Sequence, residues 1–96
     1  MIRKVRLAKN ARKALERSPR HVVVKLLGWI DLVENEGLDE ACRIPGYHDE
    51  LLRGQRRGQR SIRLTRAWRA IYVVVQPTRV EPEPVAEVTE ISKHDY

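Results

Sequence analysis

Between Ser18 and Gly37 the chain carries one long helical signal, and that signal limits most of what the sequence can become. Ser18-Pro19 reads as an N-cap followed by proline at the first helical position, where its missing N–H is no loss. Val22, Val23, Leu26, Leu27, Ile30 and Val33 then recur at helical spacing and predict a broad apolar face running to about Asn35. Gly37 stands where a glycine ends a helix. Gly28, inside the run, disfavours helix by up to about 1 kcal/mol relative to alanine, so close packing is expected there. A helix with so wide an apolar face has to bury it against another layer.

That second layer is legible after the helix, where the period changes from 3.6 to 2. Ahead of the helix, Ile2 to Leu7 predicts a short strand of mixed polarity, and Asn10 is placed to cap a short helix through Arg17 that carries Ala11, Ala14 and Leu15. Behind it comes a connector with room for one helical turn at Asp39 to Cys42, and then Pro45-Gly46 breaks the chain. Gln59 to Thr65 alternates, with Ile62 and Leu64 on one side and Ser61, Arg63 and Thr65 on the other. Arg66-Ala67 fits a hairpin turn, although it lacks the usual Gly or Asn. Ala70 to Val75 is a β-branched run that predicts a central strand buried on both faces. A proline-marked loop from Gln76 to Pro84 leads to a last strand, Val85 to Ile91. The fold class is α+β: a short N-terminal strand, two helices, then an antiparallel three-strand meander, all within one domain spanning residues 1–96.

Charge is distributed in blocks. Residues 1–30 hold nine cations and one acid, residues 31–50 one cation and seven acids, residues 51–80 eight arginines and no acid, and residues 81–96 one lysine and five acids. The alternation predicts a molecule with a basic face and an acidic one, and the net charge of +6 predicts a polyanionic partner. Arg53, Arg56, Arg57, Arg60, Arg63, Arg66 and Arg69 all fall within one 17-residue stretch. Every one is Arg, whose planar fork grips phosphate bidentately, and Gly54 and Gly58 let the loop backbone come close to a ligand. These features set the stretch apart from a solvated charge run and predict a nucleic-acid-binding surface. Tyr72 is assigned to the core, and Trp68 stays open between core and base stacking.

Cutting RNA needs more than cations. Attack by the 2′-hydroxyl requires a base, and departure of the 5′ oxygen requires an acid. Arginine stays protonated and serves as neither, so histidine and tyrosine are the groups to look for. His21 reads as a surface residue in the first turn of the long helix. His48, in Tyr47-His48-Asp49-Glu50, and His94, in His94-Asp95-Tyr96, flank the arginine stretch, each beside an acid and a tyrosine. Cys42, His48 and His94 offer no close pair at zinc-ligand spacing, and no metal or cofactor is expected. Cys42 is the single cysteine and reads as a half-buried packing residue in a reducing compartment. Cations replace the apolar core of a signal peptide at the N-terminus, and Lys25, Gly28 and Asp31 break the longest apolar cluster. A cytoplasmic protein that neither enters nor crosses a membrane is therefore expected.

The sequence resembles the RelE/ParE superfamily of toxin–antitoxin toxins, most closely the HigB-like killer proteins. The likeness rests on Ile44-Pro45-Gly46-Tyr47-His48-Asp49-Glu50-Leu51-Leu52-Arg53-Gly54, on Arg57-Gly58-Gln59-Arg60-Ser61-Ile62-Arg63-Leu64, on Ala67-Trp68-Arg69-Ala70-Ile71-Tyr72, and on the ending from Glu87 to Tyr96. It implies helices packed on a curved antiparallel sheet, and a toxin that enters the ribosomal decoding site, cuts mRNA there without metal, and is neutralised by an antitoxin, expected to be a small helix-turn-helix protein. It also implies that Arg53, Arg57, Arg60 and Arg69 hold the RNA and its scissile phosphate, and that His94, Asp95 and Tyr96 form the acid–base and stacking cluster. Some relatives use loop lysines as the base. Here those positions hold arginine, which leaves His48, Glu50 or His94 for that role. Other HigB-like chains end with the same three residue types in a different order. ParE-type relatives keep the fold and poison DNA gyrase without cutting RNA, which is the alternative function.

Overall fold

Helix α2 (Arg20–Glu36) lies across a five-stranded sheet in the computed structural model, which describes residues 1–93. Strand β1 (Lys4–Leu7) leads into helix α1 (Lys9–Glu16), then α2, then the short α3 (Leu38–Cys42). A 3-10 turn at Pro45–Tyr47 precedes β2 (Glu50–Leu51), and a second at Gly54–Arg56 precedes β3 (Gln59–Arg63), β4 (Trp68–Val75) and β5 (Val85–Lys93). The sheet order is β1-β5-β4-β3-β2, with β1 parallel to β5 and every other pair antiparallel. The expected α+β order is present. Tertiary pairing adds the docking of β1 beside β5 and the two-residue edge strand β2.

The buried stripe of α2 is Val22, Leu26, Trp29 and Val33, rotated from the expected face, so that Leu27 is 51% exposed. The reason is volume. With no Phe in the chain, Trp29 and Tyr72 are the largest fully buried side chains, and their rings meet at 5.1 Å between centroids, inclined by 48°. Around this pair pack Ala11, Ile62, Leu64, Ala70, Ala86, Val88 and Ile91, with Trp68 half-buried against them. Gly28 is where the expected close approach occurs: a Cβ there would stand 3.4 Å from the Tyr47 hydroxyl, which donates to the Lys25 carbonyl at 3.4 Å.

The helix ends differ from their sequence reading in detail. Ser18 does not cap α2; its hydroxyl donates back to the Ala14 carbonyl at 2.7 Å and closes α1, while Pro19 takes the cap position. Asn10 lies inside α1, because the Ala8 N–H is held by the Val88 carbonyl and the helix begins one residue later. Gly37 does close α2, at φ 91° and ψ 156°, and donates to the Val33 carbonyl at 2.9 Å. Only glycine occupies that backbone region comfortably, at a cost of order 1–3 kcal/mol to other residues. Gly37→Ala is therefore expected to lower the melting temperature by at least about 4 °C in a thermal scan.

The hairpin turn forms without Gly or Asn because the Thr65 hydroxyl accepts the N–H groups of Ala67 (3.3 Å) and Trp68 (3.1 Å). One irregularity matters for everything on the sheet. Pairing between β4 and β5 slips between Ile71 and Tyr72, which face Glu90 and Val88, so Thr89 is an extra residue in β5. The bulge keeps Val88 and Ile91 both on the helix side although they are three residues apart. It also turns Glu90 to the opposite, open side.

Several charges of the blocks that the sequence keeps apart meet in the fold. They pair with one another: Arg6 with Glu87 (2.7 Å) and Glu81 (2.8 Å), Lys4 with Glu81 (3.2 Å), Arg56 with Glu90 (2.9 Å), and Arg60 with Asp49 (2.7 Å). The sheet brings the last acidic segment beside the first basic one. No helix among the described residues is long and apolar enough to cross a membrane.

Candidate functional site

The face of the sheet turned away from the helices is the surface on which the arginine stretch is displayed. Residues paired across neighbouring strands share a face, and two such rows run over it. One row joins Glu50 to Ser61, Ser61 to Ile71, and Ile71 to Glu90; the next joins Arg63 to Arg69 and Arg69 to Ser92. Between these rows and the loop that precedes β3 lies a cleft of about 250 Å³, lined by Leu52, Arg56, Arg69, Ile71, Glu90 and Ser92. Gly54 (φ 67°) and Gly58 (φ 92°) supply the left-handed turns that fold this loop over the sheet.

The seven arginines have different fates. Arg56 reaches across the cleft and donates twice to the Glu90 carboxylate, at 2.9 and 3.3 Å, and to the Gln59 side-chain oxygen at 3.0 Å. That pairing holds its guanidinium more firmly protonated than usual. Arg60 leaves the open face altogether: its Nε and Nη2 lie 2.8 and 2.7 Å from Asp49 Oδ1, whose side chain is completely buried. Burial works most strongly against the charge of Arg60, but the bond to Asp49, its negative charge and the nearby Tyr72 together outweigh it and raise its pKa. Among the described residues Arg53, Arg57, Arg63, Arg66 and Arg69 make no ion pair. Arg66 sits exposed at the tip of the β3–β4 turn, and Arg69 lines the cleft.

Asp49 is the node that anchors the segment before β2. Besides Arg60, it accepts the Tyr72 hydroxyl at 2.5 Å and the Cys42 thiol at 3.4 Å. Burial and then this bond push the Tyr72 phenol far above its ordinary range, so Tyr72 is a fixed neutral donor and not a base. Burial likewise pushes the Cys42 thiol up, as befits a packing residue. The residues either side of Asp49 face solvent. His48 adopts a left-handed backbone (φ 46°), and its Nε2 stands 3.7 Å from Glu50 Oε2.

Of the residues singled out in the sequence, the open face gathers Glu50, Arg56, Arg63 and Arg69, with His48 beside Glu50. It gives up Arg60 to the interior and leaves Arg53 and Arg57 on the exposed loop. His94, Asp95 and Tyr96 lie outside the described residues and follow directly on Lys93, which pairs with Trp68. The cleft also contains residues that sequence reasoning passed over, namely Glu90, Ser92, Ile71 and Leu52. Strict alternation along β5 would have put Glu90 on the same face as Ala86 and Val88, so only the bulge reveals it. No group of three or more His, Cys, Asp or Glu able to hold a metal ion occurs among the described residues.

Solved toxin structures have the same fold. This chain is similar to a YoeB/ParE toxin from Agrobacterium tumefaciens, with 23% identity and a TM-score of 0.65 over 96% of this chain and 99% of that one. It is similar to a chain of the YoeB–YefM complex from Staphylococcus aureus, with 16% identity and a TM-score of 0.66 over 97% of both. It is also similar to a chain of the RelBE2 toxin–antitoxin complex from Mycobacterium tuberculosis, with 16% identity and a TM-score of 0.63 over 95% and 96%. No family model and no curated protein sequence matches the chain. The fold of this chain is shared with these toxin structures at 16–23% sequence identity.

Proposed function

We propose that this protein is the toxin of a type II toxin–antitoxin pair, a HigB-like endonuclease that cuts mRNA on the ribosome without metal and so arrests translation. The observation that carries the reading is the open sheet face: Arg63 and Arg69, which have no ionic partner among the described residues, stand in adjacent strands, with a carboxylate, Glu50, one row away on the same face. In the reaction the 2′-hydroxyl loses its proton to a base as its oxygen attacks the adjacent phosphorus. The 5′ oxygen leaves with a proton from an acid, giving a cyclic phosphate and a free 5′-hydroxyl. In this reading Arg69 neutralises charge on the phosphorane. Glu50, whose Oε2 lies 3.7 Å from His48 Nε2, is the base that the face offers, and the resemblance assigns acid–base and stacking roles to His94, Asp95 and Tyr96. Arg53 and Arg57 on the loop, with Arg66 at the turn, guide the backbone.

The partners in this reading are the ribosome, mRNA and a cognate antitoxin whose acidic segment covers the exposed arginines, all in the cytoplasm. Induced expression is expected to stop growth, and primer extension to find cuts in a translated transcript but not in the same transcript without its start codon. The double substitution His94→Ala with Tyr96→Ala should remove those cuts while leaving the melting temperature unchanged. Intact mRNA together with blocked supercoiling by gyrase would instead establish the ParE-like alternative.

A further inference from the structure

We propose that the cleft on the open face is a base-recognition subsite for guanine in single-stranded RNA, with Glu90 as the acceptor for the Watson–Crick donors. This rests on the nucleic-acid reading of the face and adds what the cleft selects. A phosphate subsite wants cations unopposed, yet Glu90 sits among the cations of this cleft, leaving two guanidiniums against one carboxylate. Its walls are partly apolar: Ile71 is 3% exposed and Leu52 faces it from the loop. A flat ring needs such walls and a phosphate does not. At about 250 Å³ the cleft is smaller than the roughly 300–1,000 Å³ typical of sites for drug-sized ligands, which suits a single base.

The polar groups are set before any ligand arrives. Glu90 is held by Arg56, and Arg56 is held in turn by Gln59, so neither has to be ordered on binding. A carboxylate accepts about four hydrogen bonds, so the two from Arg56 leave Glu90 able to accept more. Guanine presents two donors side by side, N1–H and the exocyclic amine, which match the two oxygens of a carboxylate. Uracil offers one N–H between two carbonyl oxygens, which a carboxylate repels. Neighbouring phosphates are then left to Arg53, Arg57, Arg63 and Arg69, which make no ion pair among the described residues.

The test uses uracil heptaribonucleotides with G, A, C or U at the centre, 2′-O-methylated so that no strand is cut, and reads binding by fluorescence anisotropy at fixed salt. The wild-type protein is expected to bind the G heptamer about tenfold tighter than the U heptamer, the discrimination of one good bidentate pair. Glu90→Gln, which keeps a bond to Arg56, should reduce that ratio to less than about twofold, chiefly by weakening binding of the G heptamer, and Glu90→Asp, too short to reach, should do the same while retaining the charge. Equal wild-type affinity for all four heptamers would overturn the proposal. So would a Glu90→Gln variant that binds all four more tightly with a steeper salt dependence, because Glu90 would then only screen a phosphate site. Failure to bind any heptamer at any salt would remove the nucleic-acid reading of the face together with it.

Discussion

Asp49→Ala should lose about 3 kcal/mol of folding free energy, a large part of what a domain of this size possesses. The carboxylate is completely buried and accepts bonds from Arg60, Tyr72 and Cys42. Removing it strands the fully buried Tyr72 hydroxyl, at roughly 1–3 kcal/mol, and leaves Arg60 without a counter-charge. Arg60 is about one-third exposed, so water recovers part of its loss, and the figure sits at the low end for a broken buried pair. The fall in melting temperature should be on the order of 10–20 °C. Urea unfolding at neutral pH is a second check, and an unchanged midpoint would show that the cluster contributes nothing. Because Asp49 lies between His48 and Glu50, the same change is expected to loosen the candidate base as well.

Arg69→Ala should leave stability within about 0.5 kcal/mol, since Arg69 has no ionic partner among the described residues, and yet lower ribosome-dependent cleavage by about 10²–10³-fold. Arg69→Lys should recover only a fraction, because an ammonium cannot reproduce the bidentate fork. Cleavage followed by primer extension, beside a melting curve, separates the two quantities. Arg60→Ala provides the contrast, since its expected effect is on the melting curve first. Undiminished cleavage by Arg69→Ala would reject its role at the phosphate.

These two substitutions mark where sequence reasoning stopped. In the sequence the arginines from Arg53 to Arg69 look alike, with no acid among them. Sequence spacing cannot report that Asp49 folds back onto Arg60 or that Glu90 arrives beside Arg56 from a strand far along the chain. The buried stripe of α2 was legible at Val22, Leu26 and Val33 but misplaced at Leu27. The helix is apolar over so much of its circumference that its rotation is set by where Trp29 meets Tyr72. The candidate base was legible only as a short set, His48, Glu50 or His94, of which the described residues bring His48 and Glu50 to one edge of the open face.

Local patterning by itself determined the order of elements, the α+β class, the closing glycine of α2 and the meander of β3, β4 and β5, because helix and strand periods and turn chemistry act over a few neighbouring residues. Long-range contact alone decided which charges neutralise one another, that β1 docks parallel to β5, and which face each side chain of β5 occupies. The physical reason for the last is one extra residue, Thr89. A strand alternates with period two only while its ladder is regular, and the bulge at Thr89 places Glu90 in the cleft, away from the helices.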